Sequence, residues 1–310
     1  MENEEKSQIS GEILLELEEF FDKDDNINSI EVRFDDPKAE LKIVIRASRP
    51  DLLDLELFDQ FSRGFPVEIV KGERESVHRG LPSDDPLKLA AERRGPRSGQ
   101  GGSQLIHTDG SWGTLTLSLE GMTIELSQGG VVQQRCHRSG PTLISNAHVM
   151  EPVGTTLTNY GDVVGRTSCQ FDLNRVFTVD YAHADWTNFI EPGNYARVLD
   201  PSNVAGRRVV AFAPASAGMP VSIQGARSGW QQGAVVARAI TGLTGYSGRI
   251  KCWIGNYTNN FGDSGSAVIT RNGANWTWVG VHFAANGHFW SWDNLSFRAD
   301  ESINVIPVLP

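Results

Sequence analysis

No apolar run in the 310 residues approaches the roughly 20 that a membrane-spanning helix requires, so none is expected. Cysteine is scarce: Cys136, Cys169 and Cys252 are far apart and odd in number. Such spacing offers neither a disulfide framework nor a CxxC metal motif, and free thiols in a reducing compartment are the expectation. The opening residues Met1 to Ser10 have neither the basic start nor the apolar stretch of a secretory leader, so a cytoplasmic location is expected. Positive charge is scarce early in the chain. Residues 1–75 hold 21 acids against 10 bases, while the remainder holds 17 against 18, so the net charge of −10 sits almost wholly in the first quarter. An acidic surface of this kind repels phosphates, and neither nucleic acid nor an anionic membrane is expected as a partner.

What is present divides the chain in three. Residues 1–78 read as a small acidic α+β module. Ile13, Leu14, Leu17, Phe20 and Phe21 recur at helical spacing. Ser29 to Phe34 and Leu41 to Ala47 read as strands, a second helix runs through Leu52, Leu55 and Phe58, and Phe65 to Val70 reads as a closing strand. Residues 79–108 turn to Arg, Gly, Pro and Ser without hydrophobic periodicity, as in a flexible linker, with Arg93, Arg94 and Arg97 open to nicking. From 109 to 310, short segments rich in Val, Ile, Thr and Trp are broken about every ten residues by Gly, Asn or Pro, an all-β rhythm.

One segment there invites a chemical reading: Asn260-Phe261-Gly262-Asp263-Ser264-Gly265-Ser266, followed by the apolar Ala267-Val268-Ile269. A nucleophilic hydroxyl must project from a tight turn, and small neighbours let substrate and backbone come close. The N–H groups of Gly262 and Ser264 could then hold a tetrahedral oxyanion. Serine needs a base, and histidine suits that task best near neutral pH. Of seven histidines only His148 ends an apolar strand, Thr142 to Val149. A carboxylate must then fix the imidazole tautomer. Asp180 and Asp185 compete, and Asp185 is preferred because it opens a run ending in Phe189-Ile190 that can enter a core as a strand.

In that order, Asn146-Ala147-His148-Val149, Ala184 to Ile190 and Gly262 to Ile269 resemble the His, Asp and Ser segments of the chymotrypsin-like serine peptidases, over about residues 109–310. The stretch from Gly218-Met219-Pro220-Val221 to Gly233-Ala234-Val235-Val236 is similar to bacterial members, and the first 75 residues resemble a leading module found on some of them. The resemblance implies a double β-barrel with His148, Asp185 and Ser264 as a triad in the cleft between barrels. It also implies peptide or protein substrates and no metal or organic cofactor. For the specificity pocket it implies Thr258, six residues before Ser264, with His282, Phe283 and Ala284 on the edge strand. No carboxylate occupies position 258, so a small or apolar side chain is expected there rather than Lys or Arg. The chain departs from animal zymogens in lacking an IVGG-type start and in carrying Val149 where a cysteine often follows the histidine. The resemblance also implies that the terminal Ser302 to Leu309 is the helix that ends such a fold. The expected activity is peptide hydrolysis through an acyl-enzyme, with a regulatory role for the module. The competing expectation is an inactive protease-like scaffold that binds a peptide or partner protein.

Overall fold

A computed structural model describes residues 2–35, 40–76, 99–159, 162–186, 195–200, 202–292 and 300–309. In the module, helix α1 (Asn3–Lys23) is followed by β1 (Ile27–Arg33), β2 (Lys42–Ala47), a one-turn helix α2 (Leu55–Asp59) and β3 (Val67–Lys71). The apolar stripe of α1 does what its spacing demands: Ile13, Leu14, Leu17 and Phe21 are all buried. They are covered partly by the module's own Ile30, Ile43 and Ile45 and partly by Val221, Ile223, Trp253 and Val279 from the far end of the chain. The module is therefore not a bead on a tether.

The next segment forms a barrel from β4 (Gln104–Ile106), β5 (Trp112–Thr114), β6 (Leu117–Leu119), β7 (Gly121–Gln128), β8 (Val131–Arg138), β9 (Thr142–Ser145), the helical turn α3 (Ala147–Met150), β10 (Thr156–Asn159), β11 (Asp162–Gln170), β12 (Phe177–Thr178) and β13 (Ala182–Trp186). The barrel itself is seven of these in the order β5-β4-β10-β11-β13-β9-β6, while β7 and β8 pair with each other and β12 reaches across to the following segment. Strands β5 and β6 are two halves of one interrupted strand. Leu115 N–H donates to Ser103 on one side and Thr116 N–H to Ile144 on the other, which closes the ring. Residues 99–108, read as the end of the linker, instead lie in the fold: Gln100, Ser103, Gln104 and Leu105 are buried. Residues 79–98, with Arg93, Arg94 and Arg97, lie outside the described residues.

The chain continues with β14 (Arg197–Asp200), β15 (Asn203–Phe212), β16 (Pro220–Gly225), β17 (Gly229–Gly242), β18 (Arg249–Gly255), β19 (Ala267–Asn272), β20 (Asn275–Ala284), β21 (His288–Trp290) and β22 (Glu301–Val308). Here β16, β17, β18, β21, β20 and β19 pair in sequence and β19 returns to β16, a closed six-stranded barrel. The architecture is the all-β double barrel expected, with the small α+β module in front. Module strand β1 pairs antiparallel with β17, Ile30 opposite Ile240, so the module extends a sheet of the second barrel.

Two expectations fail for clear reasons. The C-terminal segment is strand β22, paired with β7. Its burial alternates, with Ile303 and Val305 inside and Ser302 and Asn304 outside, a period of two that no helix satisfies. Cys136 and Cys169 are joined by a disulfide between β8 and β11, with Cα atoms 5.8 Å apart. Thirty-three residues separate them in the chain, and only the barrel brings their strands together. Cys252 is free and buried.

Candidate active site

His148 sits in α3, immediately after β9, at the end of a strand of the first barrel. Asp180 lies between β12, which pairs with β18 of the second barrel, and β13, which belongs to the first. That crossover puts its carboxylate against His148. Oδ1 accepts the His148 backbone N–H at 3.2 Å, and Oδ2 makes a short contact with the ring Nδ1. Both residues are buried. Indole N–H of Trp290 donates to the Asp180 carbonyl at 2.8 Å and holds the backbone in place. An ionised carboxylate can only accept, so Nδ1 carries the ring proton and Nε2 presents a lone pair. Among the described residues Nε2 has no hydrogen-bond partner.

Asp185, preferred on sequence, is not brought to His148. On β13 it faces away from the core, beside Ala184, which is fully buried. Its carboxylate pairs with Arg138 at 3.3 Å, both side chains 42% exposed. The run that Asp185 was expected to open does begin in a strand, β13, but the carboxylate placed against His148 is that of Asp180, ahead of that strand. Phe189 and Ile190 lie outside the described residues. His183, on the same strand, is held neutral: burial pushes its pKa down to about 4.

The serine turn is built around two glycines with positive φ, Gly262 at 98° and Gly265 at 93°. Neither tolerates a Cβ, which at Gly262 would stand 2.2 Å from the Trp112 ring and at Gly265 2.0 Å from the Thr114 carbonyl oxygen. Asp263 organises the turn from beneath. Its Oδ1 accepts the N–H groups of Arg227 and Ser228 at 3.0 Å each, and its Oδ2 that of Asn260 at 2.8 Å. Burial still pushes its carboxyl pKa up, against the pull of those donors. The hydrogen bonds of the turn leave the N–H groups of Gly262 and Ser264 without an intramolecular acceptor among the described residues.

One carbonyl couples the base to the turn. The oxygen of His282 accepts Nδ2 of Asn146, two residues before His148, at 2.7 Å, and the N–H of Gly265, one residue after Ser264, at 2.8 Å. Thr114 adds a second tie. Its N–H donates to the Ser264 carbonyl at 2.7 Å, and its own carbonyl accepts the Ser145 hydroxyl at 2.7 Å. His148 and Ser264 are thereby locked into one region, although 116 positions separate them in the sequence. The Ser264 hydroxyl itself is fully buried and donates to the carbonyl oxygen of Phe283 at 2.9 Å rather than to His148.

Of the residues expected in a specificity pocket, His282, Phe283 and Ala284 are buried. The His282 ring lies against Tyr257, whose hydroxyl is 3.3 Å from Nδ1. Thr258, by contrast, lines a cleft of about 560 Å³ together with Asn256, Asn259, Ala285 and Asn286. The opposite wall is Glu31, Arg33 and Arg46 of the module. Sequence reasoning missed these three. The available signal was a run of charges inside two strands that otherwise alternate as core, Ile30 to Arg33 and Ile43 to Arg46.

No family model matches the chain, and neither does any curated protein. Solved structures do. The chymotrypsin of Cellulomonas bogoriensis is 18% identical at a TM-score of 0.45, over 63% of this chain and 91% of that one. Protease A of Thermobifida fusca is 16% identical at 0.46, over 69% and 100%. A Nocardiopsis protease is 21% identical at 0.44, over 63% and 92%. The structures to which this chain is similar include bacterial chymotrypsin-like serine proteases.

Proposed function

We propose that the protein is a serine endopeptidase in which Ser264 is the nucleophile, His148 the general base and Asp180 the carboxylate that orients it. The observation that carries this reading is the His148 ring: one nitrogen is fixed on a buried carboxylate while the other is left as an unused acceptor in the region of the serine turn. Rotation of Ser264 about its Cα–Cβ bond moves the hydroxyl from Phe283 toward Nε2. His148 then takes the proton as Ser264 attacks a peptide carbonyl, and Asp180 stabilises the imidazolium that forms. The N–H groups of Gly262 and Ser264 receive the developing oxyanion. His148 returns the proton to the leaving amine, and water repeats the sequence on the acyl-enzyme. No step calls on a metal or an organic cofactor.

Covalent labelling by a fluorophosphonate tests this. Stoichiometric adduct on Ser264, lost in Ser264→Ala and His148→Ala, is the expected result. A second reading, a protease-like scaffold that binds without turnover, draws on the buried hydroxyl engaged with Phe283. It is the reading left standing if folded protein takes no label.

A further inference from the structure

The cleft between the module and the second barrel carries a charge arrangement that the triad does not use. Glu31 is buried, its side chain 1% exposed, and both of its oxygens are taken. Oε1 accepts Nε of Arg46 at 2.5 Å and Oε2 accepts Nη1 of Arg33 at 3.2 Å. Arg33 spends its other edge on Asp35, at 3.1 and 2.8 Å, so its fork is occupied on both sides. Arg46 is different. Only its Nε is engaged; its two Nη groups have no protein acceptor among the described residues, and its side chain is 30% exposed into the cleft. The nearest acid on the neighbouring strand, Glu68, is held by Lys42 at 2.6 Å. Thr258, Asn256, Asn259 and Asn286 supply the rest of the polar lining and no charge.

A guanidinium fixed through Nε with both Nη atoms facing an open space matches a carboxylate bidentately. The buried Glu31 holds that fork in position in advance, so little rotamer entropy is lost when a ligand arrives. Thr258 and Asn259, on the opposite wall, stand six and five residues before Ser264. We propose that this cleft is a substrate subsite selecting an acidic side chain, Glu or Asp, with Arg46 as the residue that determines the preference. The module then supplies one wall of the binding site. This rests on the peptidase reading and replaces the expectation of a small or apolar side chain.

The test separates the two. Full-length Ser264→Ala protein, which cannot turn over, is titrated with capped hexapeptide mixtures holding one fixed Glu, and with the same mixtures holding Gln instead. A charge-assisted pair predicts a preference for Glu of roughly 10-fold to 100-fold. Adding Arg46→Gln should reduce it to about threefold or less, and Arg46→Lys, which keeps the charge but not the fork, should restore part of it. Should loss of Arg46 disturb folding by exposing Glu31, the pair Glu31→Gln with Arg46→Gln removes both charges together. Equal binding of the Glu and Gln mixtures, or a preference that survives Arg46→Gln, overturns the proposal. A Glu preference in Ser264→Ala, with no fluorophosphonate adduct on the folded wild-type protein, keeps the subsite and discards the peptidase.

Discussion

Replacing each of the two competing aspartates by asparagine gives opposite outcomes that the geometry sets in advance. Asp180 is fully buried and receives both the backbone N–H and the ring N–H of His148. An amide there can donate to Nδ1, which favours the tautomer with the proton on Nε2 and removes the acceptor that Ser264 needs. The corresponding change in a serine triad costs roughly 10⁴ in rate, about 5.4 kcal/mol of barrier. Asp185 offers one contact at 3.3 Å between side chains that are both 42% exposed. Such a pair, discounted for solvent screening, contributes between about 0 and 1 kcal/mol to stability and nothing to the base. The assay is the second-order rate of fluorophosphonate labelling followed by intact mass, beside a thermal melt of each variant. Asp180→Asn should label about four decades more slowly while still melting cooperatively, and Asp185→Asn should label at about the wild-type rate. A Asp185→Asn variant slowed by more than about tenfold, with Asp180→Asn unaffected, would refute the assignment.

Three further outcomes follow from the packing. Gly262→Ala forces a Cβ to within 2.2 Å of the Trp112 ring at a φ of 98°, so it should lower the melting temperature and abolish labelling of Ser264, with a stability loss of about 3 kcal/mol or more by urea titration. Replacing both Cys136 and Cys169 by serine opens a 33-residue loop and should cost about 2–4 kcal/mol in the same titration, an effect absent for Cys252→Ser at the level of cross-linking. His183 is neutral when folded, with a pKa near 4 against 6.5 unfolded, so the unfolded state binds the extra proton. Its contribution is therefore present in full above pH 6.5 and is lost as pH falls from there to about 4, about 3 kcal/mol in all; His183→Gln should flatten that part of the stability–pH curve.

Much of this was legible before the fold was seen, and what was not has an identifiable cause. His148 and Ser264 stood out because the proposed chemistry imposes local signatures: small residues before the histidine and glycines around the serine, both visible within seven positions. Strands such as Thr142–Ser145 and Ala267–Asn272 followed from apolar runs between turn residues. Asp180 was ambiguous because its position against His148 depends on a crossover between barrels, which the spacing within Thr178 to Ile190 does not encode. The disulfide depends on strand neighbours 33 residues apart, and composition alone pointed to free thiols. The C-terminal strand was misread because a closing helix was carried over from the resemblance, whereas Ile303 and Val305 alternate with Ser302 and Asn304 and the segment pairs with β7. Residues 104–106 were hidden by a Gly- and Ser-rich approach that reads as linker whether or not it ends in a strand.

The placement of the module also bears on how such a site can be controlled. That the module covers or steers the cleft was the expectation for residues 1–78, yet two of its acids are spent on holding it against the second barrel. Glu18 and Glu301 share Lys251, at 3.1 and 2.6 Å, and Asp22 pairs with Arg249. The Arg238 guanidinium lies 4.0 Å over the Trp253 ring and donates to the Ser7 carbonyl. Lifting the module away would uncover the sides of Ile13, Leu14, Leu17 and Phe21 that pack on the second barrel, at up to about 1.5–3 kcal/mol for each side chain, and would break the ladder between β1 and β17 as well. A state about 10 kcal/mol uphill is not populated enough to serve as an open form. Turning one hydroxyl from the Phe283 carbonyl to His148 exchanges one hydrogen bond for another and costs far less. Restraint at this site is therefore better sought in the acceptor of the Ser264 hydroxyl than in movement of the module.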